Sequence, residues 1–447
     1  RFVLIFHLLG NINMKRSAYN QLLEWKNDKD RKPLVIQGAR QVGKTYLVNE
    51  FGRKVYKNYI YLNFEQDSNL ESIFNHSLNP LEIVETIGLY LGQKITSDET
   101  LVFFDEIQVS PRVLSSLKYF QEQTPEFHII AAGSLLGVSI GKESGFPVGK
   151  VNFMTIYPMS FNEYLIAMGE DLLVDKLEKI KSPDPLAEAI HQKLMNYFKM
   201  YLYLGGMPEV IQNYINEQDI VKARRIQNDI LQSYHRDFSK YADKKQAIKI
   251  SEFWHSIPRQ LAKENKKFKY GEIKKNARAS MFDQTVEWLS KAGLITVVYN
   301  VPTPKMPLSA FADYSKFKIF FHDVGLLAAE LNVSSELILL ENRIISEFKG
   351  AFIENFVAQE LKSYGNNSLF YWTSKSEAEI DFIISDSAKI YPLEVKSGMN
   401  RNIKSLRSYA DKYSPDRIFR LSPRNLIQSD DFINIPLYAC KLLKNFI

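Results

Sequence analysis

Along the chain, apolar positions fall first into short unbroken runs and later into helical repeats. The run Pro33–Gln37 leads into a glycine-rich turn, after which Thr45–Phe51 repeats apolar residues at helical spacing. "YIYLNFEQ", "TLVFFDEIQ" and "FHIIAAGS" follow as further short runs, each closing on polar residues. Unbroken runs of this length mark strands buried on both faces, as in a parallel sheet. Their alternation with helical repeats predicts an α/β domain over residues 14–165 with a doubly wound parallel sheet. Residues 166–243 read as helices broken at "PDP" (183–185) and "GGMP" (205–208). Residues 244–305 read as three short helices and a strand, "LITVVYNV". Residues 306–447 read as a second α/β domain. In it, Phe352, Ile353, Phe356, Val357 and Leu361 form one helical stripe ahead of the strand "SLFYWTS" and a hairpin.

The turn after the first run is Gly38-Ala39-Arg40-Gln41-Val42-Gly43-Lys44-Thr45. It is a GxxxxGK[ST] pattern set between a strand and a helix, the context that gives the pattern its meaning. Its glycines let the backbone wrap closely around phosphates with the N–H groups pointing inward. Lys44 is placed to reach the β- and γ-phosphates of ATP, and Thr45 to hold Mg²⁺. The run "TLVFFDEIQ" ends on Asp105 and Glu106, at the carboxyl end of a buried strand, where open α/β sheets bind their ligands. Asp105 is expected to hold the magnesium through water, and Glu106 to polarise the attacking water. Ser134, at the tip of "FHIIAAGS", either senses the γ-phosphate or is ordinary turn chemistry. The helices of 166–243 are expected to form a lid over the nucleotide.

The C-terminal hairpin, "AEIDFIISDSAKIYPLEVKSG", carries charge where a strand should hide apolar groups. With its centre between Ser387 and Ala388, paired residue numbers sum to 775, which sets Asp381 directly opposite Glu394. Their Cβ atoms are then about 5 Å apart. Lys396 shares the face of Glu394, because strand side chains alternate. Facing carboxylates are unfavourable unless a cation lies between them, and Glu354 on the preceding helix could complete the cluster. A divalent cation held by Glu354, Asp381 and Glu394, with Lys396 beside it, would activate water for phosphodiester cleavage. The competing reading is a charged, solvated hairpin edge.

Composition narrows these readings. The chain has 447 residues, enough for several domains, and its 45% apolar and 24% charged content is that of a globular protein. A single cysteine, Cys440, excludes a disulfide framework and a cysteine zinc site. The seven histidines are scattered without a His-x-x-x-His pair, so any metal is expected to rest on oxygen ligands, as Mg²⁺ or Mn²⁺ does. The formal charge is +6, and Arg259–Arg278, with eight basic and two acidic residues, carries a surplus equal to it. That cluster falls on the first two helices of 244–305, where Lys266, Lys267, Lys274 and Lys275 are placed for phosphate contact. The third helix, "MFDQTVEWLSKAG", presents Asp283 and Glu287, which argues against sequence-specific groove reading and leaves a packing or protein-interface module as the other reading. The opening "RFVLIFHLLGNIN" is too short to span a bilayer and reads as an upstream extension of a frame starting at Met14, with a short membrane-proximal anchor as the other reading, so a cytoplasmic protein is expected.

"GARQVGKT", "LVFFDEIQ", "AAGSLLG", "FPVGKVNFMTIYPMSFNEYL" and "YLYLGGMPEV", followed by "FKIFFHDVGLL" and "GAFIENFVAQEL", resemble prokaryotic AAA+-type ATPases related to the archaeal ATPase group. In that family the ATPase is joined to a C-terminal domain of unknown function. The resemblance covers the chain from Met14 onward and implies an ATP-binding fold with a C-terminal part similar to PD-(D/E)xK nucleases. It assigns Glu354, Asp381, Glu394 and Lys396 to that motif. The family's Gly-Arg is Gly149-Lys150 here, which leaves Arg40 and Arg112 as candidate trans-acting arginines. Together these readings give four segments: a P-loop AAA+-type domain (14–165), a helical lid (166–243), a winged-helix-like module (244–305) and a PD-(D/E)xK nuclease-like domain (306–447). The expected activity is ATP hydrolysis coupled to action on nucleic acid, DNA ahead of RNA, with self-association open. The alternative is a nucleotide-dependent switch for a protein partner with a silent nuclease-like domain.

Overall fold

The computed structural model describes residues 14–133, 149–263, 267–335, 349–366, 368–374, 378–398 and 403–447. The chain packs as two units. Lys15–Tyr157 and Glu287–Leu294 form one; Pro158–Val286 and Ile295–Ile447, with Met14, form the other.

The first unit begins with helix α1 (Ala18–Asn27), strand β1 (Leu34–Gln37) and helix α2 (Lys44–Val55). It continues through β2 (Asn58–Asn63), α3 (Asn69–His76), α4 (Pro80–Leu91), β3 (Thr100–Asp105), α5 (Pro111–Gln123), β4 (His128–Ala132) and β5 (Asn152–Thr155). All strand pairs are parallel, in the order β2-β3-β4-β1-β5. Strands β3 and β4 are buried along their whole length, as their unbroken apolar runs require. Val35, Ile60, Val102, Phe104, Leu117 and Ile129 meet in one core with α3 to α5. Strand β4 lies between β1, which launches the P-loop, and β3, which ends on Asp105. The doubly wound parallel sheet expected for this region is present.

The second unit opens with α6 (Phe161–Ala167), fixed by a capping box in which Ser160 and Glu163 satisfy each other's backbone N–H groups. Helices α7 (Asp171–Glu178), α8 (Glu188–Leu204), α9 (Pro208–Glu217), α10 (Ile220–Tyr241) and α11 (Lys244–Leu261) follow. Asp219 and Asp243 cap α10 and α11. After α12 (Ala279–Lys291) come β6 (Ile295–Asn300), β7 (Asp313–Phe321), α13 (Val324–Glu330) and α14 (Lys349–Ser363). Strands β8 (Leu369–Thr373), β9 (Glu379–Asp386) and β10 (Lys389–Val395), helix α15 (Lys404–Tyr413), β11 (Phe419–Ser422), β12 (Ile427–Gln428), β13 (Ile433–Pro436) and α16 (Leu443–Phe446) complete it.

One eight-stranded mixed sheet holds β6 to β13 in the order β12-β13-β11-β10-β9-β8-β6-β7. The strand expected to follow the three helices as a wing is therefore β6, which pairs antiparallel with β7 and parallel with β8. The motifs "YLYLGGMP" and "FFHDVGLL" meet in a buried clasp. Asp323 caps α13 by accepting from Leu326 and also accepts from the Gly206 N–H at 2.6 Å. Gly205 has φ 72°, and a Cβ there would lie 2.1 Å from the Asp323 carboxylate, so only glycine fits. Gln359 on α14 closes the clasp, donating to the Tyr201 hydroxyl at 2.8 Å. No helix among the described residues is long and apolar enough to cross a membrane.

Candidate functional site: a P-loop pocket and a carboxylate cluster

Strand β1 hands the chain to the loop at Gly38, whose φ of 146° and close approach to Ile156 admit no side chain. Gln41 and Gly43 also have positive φ, the turn geometry that aims successive N–H groups inward. Arg16 braces the loop from outside, donating to Val42 O at 2.9 Å and Tyr157 O at 2.6 Å. Nothing in the pattern GxxxxGK[ST] points to Arg16, which precedes the motif by a whole helix.

Lys44 is buried, and its ammonium donates to the Gly38 and Ala39 carbonyls at 3.0 and 2.8 Å. Burial lowers its pKa to about 8, outweighing the pull of Glu106 and Asp105. Thr45 donates its hydroxyl to Asp105 Oδ2 at 2.8 Å, so the loop's last residue and the end of β3 share one position. Tyr61 on β2 donates to the same oxygen at 3.1 Å, a contact legible only once β2 and β3 are known to be neighbours. Burial pushes the Asp105 carboxyl above its usual range, against the hydrogen bonds from Thr45 and Tyr61. A hydroxyl and a carboxylate, oxygen donors both, suit Mg²⁺.

Glu106 sits in the left-handed region at φ 56°, an uncommon conformation for a residue with a side chain. Its N–H is held by Asp105 Oδ1 at 3.0 Å and its carboxylate by Gln108 at 2.6 Å. Strain of this kind at a strand tip re-aims the side chain away from the strand's alternation. Lys44, Thr45, Asp105 and Glu106 are thus assembled. Arg112, the other arginine candidate, donates to the Phe74 carbonyl at 2.8 Å, at the end of α3. Lys150 is ion-paired with Glu122 at 2.9 Å. Ser134 lies outside the described residues, as do residues 1–13 and Lys266.

In the second unit the hairpin has the expected register: Asp386 pairs with Lys389, Ile384 with Tyr391 and Phe382 with Leu393, each pair summing to 775. The ladder stops one pair short of Asp381 and Glu394, and Asp381 takes up the Val395 N–H at 2.8 Å instead. Lys396 pairs with Glu394 at 2.8 Å. Burial raises the Glu394 carboxyl against the opposing pull of Lys396, and its Oε2 is buried without a hydrogen-bond partner.

The cation beside Asp381 and Glu354 is the protein's own. Lys318 on β7, 1% exposed, sits 3.5 Å from Glu354, 2.5 Å from Glu379 and 3.7 Å from Asp381, with the Tyr371 ring centre 5.1 Å away. Burial disfavours its charge, but the three carboxylates prevail and hold its pKa above the usual lysine value. Among the described residues, Glu354, Asp381 and Glu394 do not gather one oxygen each within 4.8 Å of one another.

The basic cluster is partly neutralised. Lys263 pairs with Glu272 and Lys274 with Glu252, both at 2.6 Å, while Asp283 and Glu287 stand exposed on α12. One group of metal-ligand type that scattered histidines did not suggest is assembled by the fold: His235, His255 and Glu330.

Comparison with known proteins places a family on part of this frame. Residues 30–165 match the AAA domain family. Residues 195–337 and 349–438 match two domains of unknown function (DUF8612 and DUF4143). An uncharacterised protein of Methanocaldococcus jannaschii is 24% identical over 78% of this chain and 71% of its own length. An uncharacterised protein of Mycobacterium tuberculosis is 33% identical over 20% of each chain. Among solved structures, a Walker-type ATPase of Pyrococcus abyssi is 14% identical with a TM-score of 0.45, over 71% of this chain and 96% of that one. Orc1 of Aeropyrum pernix, in complex with DNA, is 12% identical with a TM-score of 0.31, over 73% and 95%.

Proposed function

We propose that the protein binds and hydrolyses Mg²⁺-ATP at the P-loop pocket and couples this to action on nucleic acid, DNA in particular, through its nuclease-like C-terminal domain. The observation that carries the ATPase reading is the 2.8 Å hydrogen bond between Thr45 and Asp105, with Glu106 turned out beside it. When bound, Mg²⁺ would neutralise charge on the β- and γ-phosphates. Thr45 and Asp105 would hold it, Asp105 through water. The loop N–H groups cradle the phosphates, and Lys44 exchanges its carbonyl partners for phosphate oxygens. Glu106 accepts a hydrogen bond from water in line with the γ-phosphate and aims its lone pair. Arg40, inside the loop, is the candidate for a charge offered to a neighbouring copy.

The basic residues Lys267, Lys269, Lys275 and Arg278 support contact with a phosphate backbone. A second reading is favoured by Lys318. With an ammonium already among Glu354, Glu379 and Asp381, the domain is catalytically silent, and the ATPase is a switch for a protein partner. Steady-state ATP hydrolysis measured with and without DNA or RNA, followed by a cleavage assay in Mg²⁺ or Mn²⁺, separates the two. Stimulation by DNA supports the first reading. Hydrolysis indifferent to nucleic acid, with no cleavage, supports the second. Absence of hydrolysis in Mg²⁺ under all conditions rejects both.

A further inference from the structure

Three helices of the second unit bring one chemical group each to a common point. His235 stands on α10, His255 on α11 and Glu330 at the end of α13, and α10 packs against both of the others. One ligand atom from each side chain lies within 4.8 Å of the others. His255 Nδ1 is 2.9 Å from Glu330 Oε1, and the two imidazole rings lie 5.0 Å apart, inclined by 30°. Ligands of a tetrahedral ion at about 2.0–2.1 Å sit about 3.3 Å from one another. Small side-chain rotations therefore convert the existing cluster into a coordination shell.

We propose that His235, His255 and Glu330 form a binding site for a divalent transition metal of the zinc type. Two imidazole nitrogens with one carboxylate are a donor set for Zn²⁺, Co²⁺ or Ni²⁺, and not for Mg²⁺ or Ca²⁺, which take oxygen. Coordination takes the imidazole in its neutral form. The His255 side chain is 51% exposed, so water reaches the cluster and supplies the remaining position. The competing arrangement is a His255–Glu330 hydrogen bond with the His235 ring beside it.

The site is independent of the P-loop pocket and the carboxylate cluster in its chemistry. Bound metal would tie α10, α11 and α13 together across 20 and 75 residues of chain. The test is direct. The full-length protein, freed of metal by chelation and kept without nucleotide, is titrated with Co²⁺ in millimolar Mg²⁺, which occupies the oxygen sites. The expected result is one equivalent of Co²⁺ giving the strong visible absorption of a four-coordinate, nitrogen-ligated ion. Zn²⁺ then displaces it. His255→Ala, at a half-exposed position, keeps the circular dichroism of the native chain and weakens Co²⁺ binding by more than about tenfold. His235→Ala does the same, and Glu330→Gln also weakens it. Absence of the absorption, or a band unchanged in His255→Ala, overturns the proposal.

Discussion

Two buried lysines, one in each unit, have opposite electrostatic fates. Lys44 rests against two backbone carbonyls and is driven down to about pKa 8, while Lys318 lies among three carboxylates and is driven up. Burial penalises both alike. What differs is whether the fold has supplied the counter-charge. At the P-loop it has not done so in full, and the anion that would restore the lysine's usual basicity is a polyphosphate. At the hairpin the counter-charge is built in, and the ammonium is already held by Glu354, Glu379 and Asp381. A cleft that leaves charge undercompensated is prepared for a ligand; one that balances it is prepared for stability.

The contrast is sharpened most by Glu106→Gln, which leaves both carbonyl contacts of Lys44 in place and removes the carboxylate next to Asp105. Hydrolysis measured by phosphate release should fall by about 10²–10⁴-fold with ATP affinity retained. Equal turnover would remove Glu106 from the mechanism. Next, Lys44→Ala should weaken ATP binding by roughly 30- to several-thousand-fold, the equivalent of about 2–5 kcal/mol for a buried charged contact. Calorimetry with ATP reads this, and unchanged affinity would break the contrast at its first member. Lys318→Met tests the second member. Stranding the carboxylates should destabilise the second unit by about 3–5 kcal/mol in denaturant unfolding, and Mg²⁺ or Mn²⁺ should restore part of the loss in the variant alone. A neutral substitution would mean that the cluster is not held by its internal cation.

The smallest effect is on pH dependence. Lys44 has a folded pKa below its unfolded value, so ATP binding requires no proton below about pH 8 and must take one up above it. Affinity should therefore fall about tenfold per unit as pH rises past 8. The same depressed pKa makes folding stability rise, not fall, between about pH 8 and the unfolded lysine value. Lys318 has the reverse sign: its contribution is complete below the unfolded value and is lost as pH rises from there through the raised one. A flat affinity profile from pH 7 to about 10 would mean that Lys44 stays charged without nucleotide.

What could be read from sequence was what chain neighbours encode. Gly38 to Thr45 and Asp105-Glu106 declare themselves because strand, turn and helix follow one another directly. The hairpin register followed from a single turn, and the ladder from Phe382 to Asp386 agrees with it. Lys318 was illegible because its partners come from α14 and β9, brought to it by sheet order that no local pattern specifies. "LITVVYNV" was legible as a strand but not as a neighbour of β8. The histidines looked scattered because helix packing, not spacing, gathers them. Gly205 and Asp323 carried recognisable motifs whose shared task, clasping α8 to α13, only the fold displays.

The close approach of Gly38 to Ile156 bears on how the protein can be dissected. A Cβ at position 38 would lie 2.2 Å from the Ile156 carbonyl, and Ile156 in turn donates its N–H to Gln37 at 2.8 Å. The floor of the phosphate cradle is thus laid by a residue 118 positions after the loop begins. A fragment ending soon after β4 would keep every signature residue of the nucleotide motif and lose the surface on which the loop rests. An excised piece meant to keep its loop in shape must run at least through Tyr157, where Arg16 also takes its second grip.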